Sequence, residues 1–263
     1  MSQASTFKVE VIKKTISYLD ESFTTQGNLY LPENPRVEGI VYLYPTISGP
    51  SPLEKTTARY FARRGFAVII PDPVALELNV ANPDVEQLDR DYFKPAQAAM
   101  GLIAVVDEKI KNEVPVFALG ASQGGIRALG LAAESSRVKA AWFAVAGGNF
   151  PLVYATSTVK KITTLRQNHM AKLGFTDPKD YELYLRANLK NDPLYSCEKI
   201  KIPFVQVIAL DDDKVPTSTQ LELKEACPPH KVIQLDGGHV KGASTIYFYR
   251  ARILDFFRKQ ISN

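Results

Sequence analysis

Cysteine, histidine and tryptophan are scarce in this chain, with two, three and one among 263 residues. Two cysteines cannot build a disulfide framework or a cysteine zinc site. Cys197 and Cys227 lie on different segments and are expected as free thiols, compatible with a reducing compartment. His169, His230 and His239 form no H-E-x-x-H or comparable spacing, so no metal centre and no cofactor are expected. Long apolar runs are also missing: no segment approaches ~18 uninterrupted apolar residues, and the first eight lack the apolar core of a secretory signal. A cytoplasmic protein without a membrane span is the expectation. The net charge is only +4, and no stripe of Lys and Arg interleaved with aromatics occurs, which disfavours nucleic acid as a partner. Lys160, Lys161, Arg166 and Lys172 read as a solvated helix face rather than an anion site. Nothing in the composition specifies an oligomeric state.

What remains is ordinary globular material, 45% hydrophobic and 23% charged, in a length that suits one domain over residues 1–263. Residues 7–18 and 22–31 alternate like the strands of an antiparallel hairpin, with a turn at Asp20-Glu21 and a stop at Pro32. From Gly39 onward short apolar runs alternate with helical stretches. Strands are predicted near 40–44, 66–70, 116–119, 138–145, 204–210 and 231–235. Helices are predicted near 53–64, 93–111, 125–135, 218–226 and 245–260. Alternation of this kind produces a mostly parallel sheet covered on both faces, an α/β fold. In the last helix Ile246, Tyr249, Ile253, Phe256 and Phe257 share one face, so that helix must dock and thereby steady the loop carrying His239. Trp142, in the fourth of the parallel strands, reads as core. The stretch 72–90 shows no firm regular structure and is long enough to line a pocket.

Three segments carry chemistry. Gly120-x-Ser122-x-Gly124 sits where an apolar strand meets a helix opening, a corner that only small residues can turn and that places a serine at a helix N-terminus with free N–H groups. The strand at 204–210 runs into Asp211-Asp212-Asp213-Lys214-Val215-Pro216, which sets carboxylates at the C-terminal edge where open α/β sheets place their ligands. The strand at 231–235 runs into Asp236-Gly237-Gly238-His239, delivering a histidine to the same edge. His169, mid-helix, and His230, after two prolines, are expected at the surface or supporting the site from behind.

With serine, acid and histidine in that order, the chain from about Gly39 to its C-terminus resembles the α/β-hydrolase superfamily. Further matching residues are Tyr44-Pro45-Thr46 after the first parallel strand, the run Arg64-Gly65-Phe66-Ala67-Val68-Ile69-Ile70-Pro71-Asp72, and Gly238-His239. The resemblance implies a catalytic triad of Ser122, Asp212 and His239. Asp212 is selected because the acid stands four residues before the proline of a D-x-x-V-P run, leaving Asp211 and Asp213 as solvated neighbours. It also implies an oxyanion hole from the backbone N–H groups of Thr46 and Gln123, with Ile47 the next candidate. Many members carry His-Gly where this chain has Tyr44-Pro45, and Pro45 has no N–H to give. An insertion at 147–202, helical near 159–173 and 180–189, falls where such proteins carry a lid over the active site.

The implied activity is a serine hydrolase of a small-molecule ester or thioester acting through an acyl-enzyme, with His239 as the base and turnover rising as it loses its proton. Acyl transfer to another acceptor uses the same residues. A catalytically silent binding protein on this fold is the third possibility.

Overall fold

In a computed structural model, described over residues 6–33, 36–72 and 84–261, the chain forms an eight-stranded sheet in the order β1-β2-β4-β3-β5-β6-β7-β8. The strands β1 (Phe7–Tyr18) and β2 (Glu21–Pro32) make the antiparallel hairpin. Tyr18 pairs with Glu21, so the turn is Leu19-Asp20, one residue earlier than expected, with Leu19 at φ 53°. β2 runs antiparallel to β4 (Phe66–Pro71), and β4 lies parallel to β3 (Gly39–Tyr44). From there β5 (Val116–Ala121), β6 (Val138–Ala144), β7 (Phe204–Ala209) and β8 (Lys231–Leu235) follow in parallel. β3, β4, β5 and β7 are buried along their whole length, which is why they read as continuous apolar runs rather than alternations.

Each sheet face has its own core. On one face β-strand side chains such as Tyr42, Ile69 and Phe143 pack with α3 (Lys94–Ile110), α4 (Gln123–Glu134) and Leu223 of α9 (Thr217–Ala226). On the other, α1 (Pro52–Ala62), α10 (His239–Phe248) and α11 (Arg250–Lys259) cover Val41, Leu119 and Trp142. Helix α1 opens with a capping box, Ser51 and Glu54 satisfying each other's backbone N–H groups. The single C-terminal helix of the expectation is broken at Tyr249 into α10 and α11. The periodic face survives the break: Ile246, Ile253 and Phe257 are buried, with Tyr249 and Phe256 partly so. Trp142 is core as expected, its ring edge-on to Phe256.

Between β6 and β7 stand α5 (Phe150–Thr156), α6 (Lys160–Leu173), α7 (Pro178–Asn188) and α8 (Pro193–Ser196). α5 and α8 were missed, although each starts with a capping Asn149 or Asp192 followed by a proline in the first turn. α5, α6 and α7 share a small core with α2 (Val85–Arg90), built on Tyr154, Leu165, Tyr181 and Leu185. α2 occupies the end of the stretch expected to be irregular; the rest of that expectation, residues 73–83, lies outside the described residues. The basic cluster of α6 is not a bare solvated face. Arg166 donates to the carbonyls of Tyr154, Ala155 and Ser157 at the end of α5, and Lys161 donates to Ile47 O.

The cysteines also differ from expectation. Cys197 and Cys227 form a disulfide, with Cα atoms 5.1 Å apart. α8 leads into the turn holding Cys197 and packs beside α9, whose end holds Cys227, so two thiols distant in sequence meet in one core. The argument for a reducing compartment, which rested on free thiols, loses its support. Among the described residues no helix is long and apolar enough to cross a membrane.

His169 is the least expected feature of the insertion. It is 1% exposed, and its Nδ1 lies 2.6 Å from Tyr181 Oη. Burial, reinforced by the positive Lys172 and opposed by Asp84, pushes its pKa down to about 4. A histidine kept neutral in the folded state protonates more readily when unfolded, so its contribution is fully present above the ordinary value near 6.5 and is lost as pH falls from there toward 4. Two stability predictions follow the packing. Denaturant unfolding of the wild type should lose about 1–3 kcal/mol through that window, a loss that His169→Phe removes. Phe257, 0% exposed and stacked on Phe117 at 4.7 Å, anchors α11; Phe257→Ala should cost about 3–5 kcal/mol in the same measurement.

Candidate active site

Ser122 stands alone between the last residue of β5 and the first of α4, with φ 56° and ψ −128°. A side chain at positive φ costs about 1–3 kcal/mol and persists only where its surroundings impose it. Here the Ser122 N–H donates to Ala144 O of β6 at 2.8 Å, and its carbonyl accepts from Gly125 and Ile126 at 2.9 and 3.1 Å. The flanking glycines are required by contact. A Cβ on Gly120 would lie 2.2 Å from Gly124 O, and one on Gly124 would lie 2.4 Å from Tyr44 O. The strand, the helix and the end of β3 thus cross too closely for any other residue type. The turn lifts Ser122 to the C-terminal edge of the sheet and puts Gln123 at the first helical position, where the backbone N–H has no partner within the helix.

Asp212 and His239 meet at the same edge. His239 Nδ1 is 2.8 Å from Asp212 Oδ2, and the Asp212 side chain is 0% exposed. Oδ1 accepts from the N–H groups of Lys214 and Val215 at 2.9 and 3.0 Å, while Oδ2 also accepts from Gln220 Nε2 at 2.9 Å. The Gln220 amide can point only one way, because its oxygen accepts the Ala209 N–H and its nitrogen also donates to Val215 O. Every other partner of the carboxylate is therefore an N–H donor, and the imidazole completes the set by presenting Nδ1–H. Thr217 accepts from the Asp212 N–H and donates to Ala209 O, tying the acid loop to the end of β7. Neither Gln220 nor Thr217 was found from the sequence. The available signal was that Thr219 and Gln220 are polar residues on the helix face that Leu223 marks as buried.

Ser122 borders two cavities. The larger, about 750 Å³, is bordered by Ser122, Thr46, His239 and Tyr247. The smaller, about 270 Å³, is bordered by Ser122, Gln123, Phe150 and Tyr154 and extends beneath α5 and α6 to His169. Ile47, Val159 and Lys214 border both. Ser122 Oγ and His239 share the larger cavity, and among the described residues no hydrogen bond joins them. The Asp212–His239 end of the line is closed and the Ser122 end open.

The other expected residues are placed as follows. Thr46 sits in the turn after β3, its carbonyl accepting from Gly49 N at 2.9 Å, with Ile47 beside it. Asp213 is exposed, but its carboxylate accepts from Thr158 at 2.9 Å and so helps hold the start of the helical insertion; that bond lowers its pKa. Asp211 is exposed, its N–H donating to Gly237 O. His230 is exposed and stacks on Phe256, as expected for a surface residue; His169 is not at the surface.

No protein-family model and no curated protein matches the chain. Solved structures do. A cold-adapted esterase from an Arctic intertidal metagenomic library matches with TM-score 0.63 at 14% identity, covering 96% of this chain and 94% of that one. An acylaminoacyl peptidase of Pyrococcus horikoshii matches with TM-score 0.67 at 15% identity, over 98% of this chain and 42% of that one. A puromycin-hydrolysing peptidase of Mycobacterium tuberculosis gives TM-score 0.68 at 16% identity, over 98% of this chain and 40% of that one. The mostly parallel eight-stranded sheet with its N-terminal antiparallel pair, the serine on its strand-to-helix turn and these likenesses identify the chain as having the α/β-hydrolase fold.

Proposed function

We propose that the chain is a serine hydrolase that cleaves a carboxylic ester or thioester through an acyl-enzyme on Ser122. The observation that carries the reading is a strained serine that shares a cavity with an imidazole whose Nδ1 is held by a fully buried carboxylate. A neutral serine hydroxyl is a weak nucleophile and needs a base. His239 borders the same cavity as Ser122, and its Nε2 is the nitrogen not engaged by Asp212. Asp212 holds the tautomer that keeps that nitrogen free and stabilises the imidazolium once the proton has moved.

Attack by Ser122 Oγ on the carbonyl would place the developing oxyanion near the N-terminus of α4. The Gln123 N–H, with that of Thr46 on the facing turn, would hold it, at about 3 kcal/mol per donor. His239 then returns the proton to the leaving oxygen or sulfur. The leaving group must therefore sit beside His239, in the larger cavity, and the acyl group takes the smaller one on the Gln123 side. Water entering the larger cavity repeats the sequence and frees the acid. The helical insertion acts as a lid: α5 and α6 roof the smaller cavity, and Thr158 and Ser157 fasten their junction to Asp213 and Lys214 in the acid loop.

With p-nitrophenyl butyrate as substrate, Ser122→Ala should lower kcat by ~10³ or more, with an unchanged circular dichroism spectrum and unfolding midpoint. Turnover that survives this substitution contradicts the reading.

A further inference from the structure

The two cavities that Ser122 borders are unequal in size and in lining, and α6 is shared out between them. Lys160, Lys161 and Thr164 of that helix border the larger, while Ile162, Leu165 and His169 border the smaller. Pockets that enclose drug-sized ligands run to about 300–1,000 Å³. The larger cavity, about 750 Å³, falls inside that range and the smaller, about 270 Å³, falls below it. The larger is also the more apolar of the two.

Its apolar wall comes from the helix that carries the base. α10 borders the larger cavity with His239, Val240, Ala243, Ser244, Ile246 and Tyr247, a spacing of three and four that marks one helix face. The opposite face is fixed by contact: Gly242 is buried, and a Cβ there would lie 2.3 Å from Val145 Cγ1, just beyond β6. Leu53 of α1, which packs on α10, borders the same cavity. Leu53 and Val240 are 43% and 73% exposed. Single exposed apolar side chains are ordinary, but two on neighbouring helices at the edge of one apolar cavity form a contact surface. Lys160, Lys161 and Lys214 border this cavity as well, Lys161 Nζ donating to Ile47 O. The one carboxylate among its described lining residues, Glu54, is taken up by Ser51.

We propose that the leaving group is the larger and more apolar part of the substrate: an ester of a short acid with a bulky hydrocarbon or aryl alcohol, whose body lies on Leu53, Val240, Ala243 and Tyr247. The placing of the two parts rests on the serine hydrolase reading above, in which the alcohol departs with the proton that His239 took from Ser122. His239 borders only the larger cavity and Gln123 only the smaller. Apolar surface removed from water on the leaving side then favours such an ester over an isomer whose bulk must enter the smaller cavity.

Two isomeric esters test this: naphthylmethyl acetate, with the ring on the leaving group, and methyl naphthylacetate, with the ring on the acyl group. Each rate is normalised to alkaline hydrolysis. The wild type should show kcat/KM about tenfold higher, or more, for naphthylmethyl acetate. Leu53→Gln combined with Val240→Gln, both at exposed positions, should lower that ratio about fivefold through the KM of the naphthylmethyl ester. Equal rates, a preference for methyl naphthylacetate, or a loss in the double variant that falls equally on both isomers overturns the proposal. So does faster turnover when a carboxylate is added to the leaving ring, which makes the lysines and not the apolar wall the determinant. Each of these leaves the hydrolase reading standing provided p-nitrophenyl butyrate is turned over. A wild type that hydrolyses neither p-nitrophenyl butyrate nor the two isomers refutes that reading, and the proposal with it. If the double variant does not fold, inhibition of p-nitrophenyl butyrate turnover in the wild type decides. Naphthylmethanol should compete at about tenfold lower concentration than naphthylacetamide; an equal or reversed order overturns the proposal.

Discussion

The structure depends on one crossing of backbone. Between β5 and α4 the chain must reverse within a single residue, and it does so at Ser122 with φ 56°, wedged between Gly120, Gly124 and the end of β3. The strain is held by long-range order. The Ser122 N–H reaches β6, and β5 and its neighbour β3 are wholly buried in the sheet. Held there, Ser122 borders both cavities. Loss of the crossing would cost the position of Ser122, the free N–H groups at the start of α4 and the packing of α4 against the sheet together.

A second, quieter constraint is the satisfaction of Asp212. A fully buried carboxylate is tolerated only when its oxygens are filled with donors. Two backbone N–H groups, the Gln220 amide and the His239 imidazole fill them here. Because Gln220 is itself locked by Ala209 and Val215, the acid loop, α9 and the end of β7 behave as one rigid support for the imidazole. The same loop is fastened to the helical insertion through Ser157 and Thr158. The roof of the smaller cavity and the base of the site are thus mechanically joined.

Much of this was legible in the sequence because it is encoded locally. Continuous apolar runs such as Phe204–Ala209 mark strands buried on both faces, and Gly120-x-Ser122-x-Gly124 marks the crossing. Both depend on residues adjacent in the chain. The order of serine, acid and histidine was equally visible, because parallel strands deliver their C-terminal loops to one edge. What escaped were interactions that depend on tertiary neighbours. The disulfide joins helices whose packing no local pattern reveals. Gln220 reads as an ordinary helix polar residue until its face is known to be buried. His169 reads equally as a surface histidine or one supporting the site from behind, and only its contact with Tyr181, from the next helix, shows it buried. The break at Tyr249 is likewise invisible, since the apolar face continues through it.

The central claim is that Ser122, His239 and Asp212 act as one activating unit. Its most direct test is the rate and site of reaction with a fluorophosphonate, followed by intact mass and peptide mapping. The account predicts one adduct per chain, on the Ser122 peptide, formed at least ~10²-fold more slowly in His239→Ala. An adduct on another residue, or labelling of Ser122 that is indifferent to the loss of His239, would contradict it.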